Sequence, residues 1–362
     1  MLPGITASGC TPPIGNSIKP HVKNKTYFCT FFDKRYLIRG LALHESLTRL
    51  LTDEFELWIL CMDAETYGFL HSANLEKVTL VKLEDLERAC SDLIRVRGKR
   101  GLVEYYFTCK PALMEFLLQA NPRVGRLTYL DADLYFFADH SLLNDEISDS
   151  SIALVEHRFA SNLQYLARTG RYNAGWISIR RDPTGLACVQ WWRQRCIEWC
   201  YDSPENGRYG DQGYLDEFRR LFGSVVSVSH KGANLAPWNI GNFRIGLVDG
   251  RVVVDGEPLV FFHFHGLKQV RRWLFDSGFH GYQVSMDTTT REKIYRPYVR
   301  LLYQSEKCIN EAPGGTAWAP LLGGAPRVQG KGRSRTLVDM LRQKFQSLCL
   351  RIYRRSYLIC WK

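Results

Sequence analysis

The stretch Leu127-Thr128-Tyr129-Leu130-Asp131-Ala132-Asp133-Leu134-Tyr135-Phe136-Phe137 is the one on which the fold turns. An apolar run gives a strand signal, two aspartates break it, and a second apolar run follows. Nineteen aspartates in 362 residues give about one D-x-D by chance, so the spacing alone carries little. Its context carries more. Alternate residues of an extended chain face the same way, so Asp131 and Asp133 can share one ligand with roughly 7 Å of chain between them. Two like charges beside a core are costly unless a cation or donors compensate them. The alternative is a polar turn between two apolar segments.

Outward from this stretch, strand and helix signals alternate. Upstream, Tyr27-Phe28-Cys29-Thr30-Phe31 reads as a buried strand. Residues 36–50 carry Leu37, Leu41, Leu43, Leu47 and Leu50 at near-helical spacing. Strands follow at 55–61 and 77–83, then a helix at 105–120 that ends near Asn121-Pro122. Downstream come a strand at 174–179, a Trp-rich helix at 188–201, a helical stretch at 214–221, and strands at 225–228 and 259–265. This alternation predicts an α/β fold, a mostly parallel sheet covered by helices on both faces. Ligands sit at the carboxyl ends of strands in such sheets, so Thr30, Asp63 and Asp131 are the first positions to weigh.

Composition bounds the class. The chain is 45% hydrophobic and 13% aromatic, which suits a large packed core and argues against disorder through its middle. No run of 18 uncharged apolar residues provides a spanning helix. The first 25 residues hold Pro3, Pro12, Pro13 and Pro20 and no apolar block, so a flexible arm is expected at 1–25 and no secretory signal. Eleven scattered cysteines without C-x-x-C fit buried thiols in a reducing cytoplasm. Net charge is +11, but Arg327 to Lys362 hold ten basic residues and one acid, which leaves the body near neutral. A nucleic-acid-binding body is therefore not expected. The domain proper is expected at 26–303, a Gly/Pro-rich linker at 304–335 and a basic helix at 336–362. Leu337, Leu341, Phe345, Leu348 and Ile352 share one helical stripe there. Such a helix either contacts a membrane peripherally, at its inner face, or docks on the protein's own core.

Further constellations carry chemistry. His263 and His265 alternate in Phe262-His263-Phe264-His265-Gly266, and imidazole joins carboxylate well around a manganese-type ion. Lys268 can offer a point charge to phosphate. Structural histidines are the alternative. Asp211-Gln212-Gly213 opens a helix, where an aspartate can be simply an N-cap. Trp238 and Asn239 lie in a loop whose aromatic and amide groups suit the ring faces and hydroxyls of a sugar acceptor. The sequence has no G-x-G-x-x-G after the first strand, no phosphate-loop motif, no G-x-S-x-G and no H-E-x-x-H. Dinucleotide oxidoreductase, phosphate-loop NTPase, serine hydrolase and zinc protease chemistry lose support accordingly.

Taken in order, Thr30-Phe31, Tyr129-Leu130-Asp131-Ala132-Asp133, Tyr172-Asn173-Ala174-Gly175, Asp211-Gln212 and His263-Phe264-His265-Gly266 resemble the GT-A nucleotide-sugar glycosyltransferases. The resemblance is to the retaining group of glycogenin and the lipopolysaccharide galactosyltransferases, and spans roughly residues 26 to 270. It implies a GT-A type mixed, mostly parallel sheet flanked by helices. It further implies metal-binding carboxylates at Asp131 and Asp133 with His263 completing the shell, and diphosphate binding by Lys268 beside Gly266. Thr30 and Phe31 match the nucleobase end of the first strand. Asn173, Gly175, Asp211 and Gln212 match positions lining the donor sugar, with Asp211 and Gln212 nearest the chemistry. Lys110 stands where the family usually has an arginine, and Lys268 lies one residue closer to Gly266 than the family's lysine. The implied activity is transfer of a hexose from a UDP-sugar type donor, with Mn2+ or Mg2+, to a glycan or lipid-linked acceptor in polysaccharide biosynthesis. The runner-up activity is a sugar-phosphate nucleotidyltransferase; a non-catalytic binding protein is the other alternative.

Overall fold

The computed structural model describes residues 25–271, 274–311 and 358–360. The chain opens with β1 (Thr26–Phe32), α1 (Leu37–Leu50), β2 (Phe55–Cys61), α2 (Ala64–Ala73) and β3 (Val78–Lys82). The helices α3 (Leu83–Ala89), α4 (Ser91–Arg97) and α5 (Leu102–Ala120) follow, then β4 (Arg126–Leu130) and β5 (Leu134–Phe136). Next come α6 (Asn144–Ile147), β6 (Ile152–Glu156), β7 (Tyr172–Arg180), α7 (Pro183–Glu198), α8 (Phe218–Phe222) and β8 (Val225–Ser227). The last part holds β9 (Ile245–Val248), β10 (Arg251–Val254), β11 (Glu257–Pro258), β12 (Phe261–His263), β13 (Lys268–Arg271), β14 (Leu274–Asp276), α9 (Arg296–Glu311) and β15 (Leu358–Cys360).

The central sheet has seven strands in the order β3-β2-β1-β4-β7-β6-β8. All neighbouring pairs are parallel except those that β7 makes with β4 and β6. The sheet is thus mixed and mostly parallel, as expected. Side chains alternate between two cores, which period-two geometry requires of strands buried on both faces. On β2, Phe55, Leu57, Ile59 and Cys61 enter one core, and Trp58 and Leu60 enter the other. The first core is closed by α1 and α9, the second by α5 and α7.

This topology positions the site. β1 and β4 run parallel in register, Tyr27 opposite Leu127, so Phe31 to Asp33 and Asp131 emerge at one sheet edge. Because β7 is antiparallel, its amino-terminal residues Asn173, Ala174 and Gly175 return to that same edge. A register shift between Leu154 and Val155 bends β6 against β7 there, as bulges do beside functional sites. A two-stranded ribbon of β5 and β12 then sets Leu134 opposite His263, and the Phe264 N–H donates to the Asp133 carbonyl at 3.0 Å.

Three expectations are corrected. Asp63 caps α2, accepting from the Thr66 N–H at 2.7 Å, and so serves the fold. The expected linker at 304–335 begins too early: α9 continues to Glu311, because the apolar stripe Tyr298, Leu302 and Ile309 is buried against the core. Within the expected basic helix at 336–362, the described residues Leu358–Cys360 are a strand pairing antiparallel with β14, with Ile359 buried. An apolar triplet beside an open strand edge gains ladder bonds there, and Ile359 gains burial as well. The rest of that segment, and the arm at 1–24, lie outside the described residues.

Candidate active site

One cleft of about 610 Å3 opens at the sheet edge. Of the expected residues, Phe31, Lys110, Asp131, Asp133, Asn173, Asp211, Gln212, Trp238 and His263 line it. Thr30, Gly175, Asn239, Gly266 and Lys268 do not.

The carboxylates anchor it. Asp133 is buried, its Oδ1 3.1 Å from His263 Nε2, while Asp131 Oδ2 lies 3.9 Å from that nitrogen. Burial disfavours the Asp133 charge, but His263, with Arg39 and His265, outweighs it and holds the carboxyl below its ordinary range. Burial likewise disfavours a charged His263, and Asp133 and Asp131 outweigh it, raising the imidazole above its ordinary value. The other ring nitrogen of His263, Nδ1, donates to Asn173 Oδ1 at 3.2 Å. That bond orients the ring and aims Nε2 at the carboxylates, the arrangement a ligating histidine uses. His265, paired with His263 by strand alternation but absent from the metal set that the resemblance implies, brings a third ligand atom: those of Asp133, His263 and His265 all lie within 4.8 Å of one another. These three residues can hold a metal ion. Alternation on an extended chain was the available signal for His265.

Asp131 faces two ways. Its Oδ1 accepts from the Tyr129 hydroxyl at 2.7 Å and lies 3.4 Å from Lys110 Nζ. Lys110, buried on α5, also meets Asp211 Oδ2 at 2.9 Å and donates to the Ala174 carbonyl at 3.0 Å. One ammonium thus bridges two carboxylates, and although burial opposes its charge, Asp131 and Asp211 together raise its pKa. Asp211 stands at the start of a 3-10 turn, but its side chain makes no capping bond. The N-cap alternative is therefore set aside. Burial raises the Asp211 pKa, with Lys110 opposing it.

Gln212 is held at both ends of its amide. Oε1 accepts from the Ala174 N–H at 3.1 Å and Nε2 donates to the Thr169 carbonyl at 2.9 Å. Asn239 is a correction: its Oδ1 accepts from the Ala236 N–H, and its Nδ2 donates to the His157 and Asn234 carbonyls, at 2.8 to 2.9 Å. An amide so engaged, fully buried and outside the cleft lining, shapes the loop. Its neighbour Trp238 meets His263 and His265 edge-on, and its indole N–H is buried without a partner among the described residues. Thr30 is fully buried beneath the cleft. Gly266, with φ of 77°, makes the left-handed turn between β12 and β13. Lys268 starts β13, exposed and outside the cleft lining.

Gly175 acts by leaving room. A methyl group there would lie 2.7 Å from Asn173 Oδ1, 2.8 Å from His263 Cε1 and 3.0 Å from Asp131 Oδ2. Gly175→Ala should cost about 1–3 kcal/mol, as overpacking does, and displace the His263 ring. Urea unfolding together with the imidazole NMR signals checks both; an unmoved His263 signal would contradict the crowding.

Residues beyond the sequence reading complete the walls. Phe31 sits between Tyr106 and Tyr129, ring centroids 6.1 and 5.8 Å away. Buried Asp33 accepts from Arg35 Nε at 2.7 Å and from the Tyr106 hydroxyl at 3.1 Å. His157 stacks on Phe159 at 4.5 Å, and burial pushes its pKa down to about 3.

The mixed, mostly parallel sheet covered by helices makes an α/β fold that gathers the carboxylates and the late histidine strand at one sheet edge. The chain belongs to the family of the uncharacterized Bacillus subtilis proteins YfnF and YfnD. It is 37% identical to YfnF over 253 residues, covering 67% of this chain and 82% of YfnF. To YfnD it is 33% identical over 276 residues, covering 75% of this chain and 87% of YfnD. No family model matches. Among solved structures it is similar to the galactosyltransferase LgtC in complex with donor and acceptor sugar analogs (16% identity, TM-score 0.49, 77% of this chain and 96% of that one). It is also similar to the glycosyltransferase GlyE of Streptococcus pneumoniae TIGR4 (16%, 0.45, 81% and 66%) and to mouse xyloside xylosyltransferase 1 (14%, 0.43, 67% and 98%).

Proposed function

We propose that this chain is a metal-dependent glycosyltransferase. It would move a hexose from a UDP-sugar type donor to a glycan or lipid-linked acceptor, in cell-surface polysaccharide synthesis on the cytoplasmic side. The observation that carries the reading is the meeting of Asp131, Asp133, His263, Lys110 and Asp211 in one aromatic-walled cleft at the sheet edge.

The donor set suits a divalent ion: carboxylate and imidazole, without thiolate, fits Mn2+, and Mg2+ less well. Asp133 and His263, with Asp131 beside them, would hold the ion. When bound, it supplies positive charge against the leaving diphosphate. The protein's own groups do the rest. Phe31 and Tyr106 offer faces to the base, and Lys110 fixes the mutual position of Asp131 and Asp211. Asp211 sets a buried negative charge where the sugar becomes cationic, since glycosyl transfer passes through an oxocarbenium-like state. Gln212 holds the Thr169 and Ala174 backbone in place beside it. Trp238, which lines the cleft, offers an apolar surface to an acceptor sugar. Lys268 would reach the diphosphate only if the β13 hairpin moves towards the cleft.

Release of labelled sugar from a nucleotide-sugar panel, with chelator and with added manganese, tests the reading. The donor that binds should also stabilise the fold by about 2.7 kcal/mol at a hundred times its dissociation constant. A nucleotidyltransferase would instead form nucleotide sugar from sugar phosphate, and a binding protein would do neither. Ion binding has a pH signature too. His263 must give up the Nε2 proton that the carboxylates favour, so ion affinity should rise with pH through and above the ordinary imidazole value of about 6.5. Calorimetric titrations across that range check the sign.

Among the described residues no helix is long and apolar enough to cross a membrane. Peripheral contact through the basic 336–362 segment stays part of the proposal. With β15 docked on β14, truncation would remove a core strand, so Arg342, Lys344, Arg354 and Arg355 are better changed to Gln. Anionic vesicles should sediment the natural chain and release the variant.

A further inference from the structure

We infer that His265 is a third ligand to the divalent ion and sets its selectivity, favouring Mn2+ and Co2+ over Mg2+. The inference rests on the reading of Asp133 and His263 as ion ligands and extends it.

Four observations converge. The ligand atoms of Asp133, His263 and His265 lie within 4.8 Å of one another, close enough to face a single ion. His265 sits two residues after His263, past the end of β12, where the turn at Gly266 (φ 77°) leads away into β13. Trp238 abuts both imidazoles, with ring centroids 5.1 Å from His263 and 5.7 Å from His265, so one indole edge fixes the pair. Asp131, the other candidate oxygen ligand, has its Oδ1 engaged by the Tyr129 hydroxyl and near the Lys110 ammonium, and its Oδ2 is 3.9 Å from His263 Nε2.

The compact set is therefore two imidazoles and one carboxylate, richer in nitrogen than a paired-carboxylate site. Ligand chemistry gives the consequence. Mg2+ demands oxygen ligands and dehydrates reluctantly, whereas imidazole nitrogen raises affinity along the series from manganese to cobalt. Replacing the His265 nitrogen by an amide oxygen should lower cobalt and manganese affinity and leave magnesium nearly untouched.

The experiment titrates the full-length protein and its His265→Gln variant with MnCl2, CoCl2 and MgCl2, each alone, by calorimetry. The visible absorption of the cobalt form is recorded alongside. Losing a mere outer-shell partner of a metal ligand already costs 10–100-fold, so His265→Gln should weaken cobalt by at least about tenfold, with a changed cobalt spectrum and magnesium affinity within about twofold. Unchanged cobalt affinity and spectrum would overturn the role of His265 while leaving the Asp133 and His263 site standing. Absence of binding by any of the three ions to the natural protein would overturn the ion site itself, and His265 with it. Thermal melting of the variant without ions keeps a folding defect from passing as a lost ligand.

Discussion

Asp133→Asn is expected to reduce donor hydrolysis by about a thousandfold while leaving the chain folded. The size follows from what the carboxylate does: removing one positioned electrostatic group from a closed site costs about two to three orders of magnitude, and here the ion's anchor goes with it. The fold should survive because only the carboxylate charge changes. The Asp133 carbonyl that accepts from the Phe264 N–H is untouched, and Asn keeps the volume at this buried position. His263 loses the partner that most favours its charge and is still held through Nδ1 by Asn173. Turnover in excess chelator checks the same claim without a mutation. Full activity there, or in the variant, would sink the ion-dependent reading.

Most of the sheet was legible because its inner strands are buried on both faces and therefore read as apolar runs with sharp ends: Phe55–Cys61 matches its expected bounds residue for residue, whereas β6 at Ile152–Glu156 is not among the expected strands. The Asp131-Ala132-Asp133 break was legible for the same reason, since charge interrupting an apolar run needs a cause. Residues whose role is set by distant chain were not. Lys110 sits in the middle of α5, and nothing local tells that it joins Asp131 and Asp211, 21 and 101 residues away. Asp33, Arg35 and Tyr106 form their cluster across 73 residues, a separation that periodicity does not encode. Asn239 misled because an amide in an aromatic loop looks identical whether it faces a sugar or its own backbone. The end of α9 was misjudged because the Gly/Pro signal that marks a linker starts only after the helix has buried Ile309. Leu358–Cys360 was assigned to a helix by the stripe before it, and a three-residue strand gains its identity only from the β14 edge it meets.

Asp211→Asn should cut turnover by roughly a hundredfold or more with a small change in donor KM, because the carboxylate acts where charge develops in the transition state. A hundredfold is about 2.7 kcal/mol of barrier. The competing account, a helix cap, predicts almost no effect, since Asn caps nearly as well as Asp; and the side chain makes no capping bond. A second competitor is structural: Lys110 would lose one of its two carboxylates. That loss is limited, because Asp131 and the Ala174 carbonyl remain within 3.4 and 3.0 Å of the ammonium, and the Trp192 indole still donates to the Asp211 backbone carbonyl. pH separates the accounts further. Burial lifts the Asp211 pKa above the ordinary 3.8 for aspartate despite Lys110, so the active, charged form is present above that raised value and is lost as pH falls through it. The natural enzyme should therefore show an acid limb at a pH above the usual aspartate range, and Asp211→Asn should lack it. A variant with near-normal turnover, or one that keeps the same acid limb, would remove Asp211 from the chemistry and leave it as the counter-charge of Lys110.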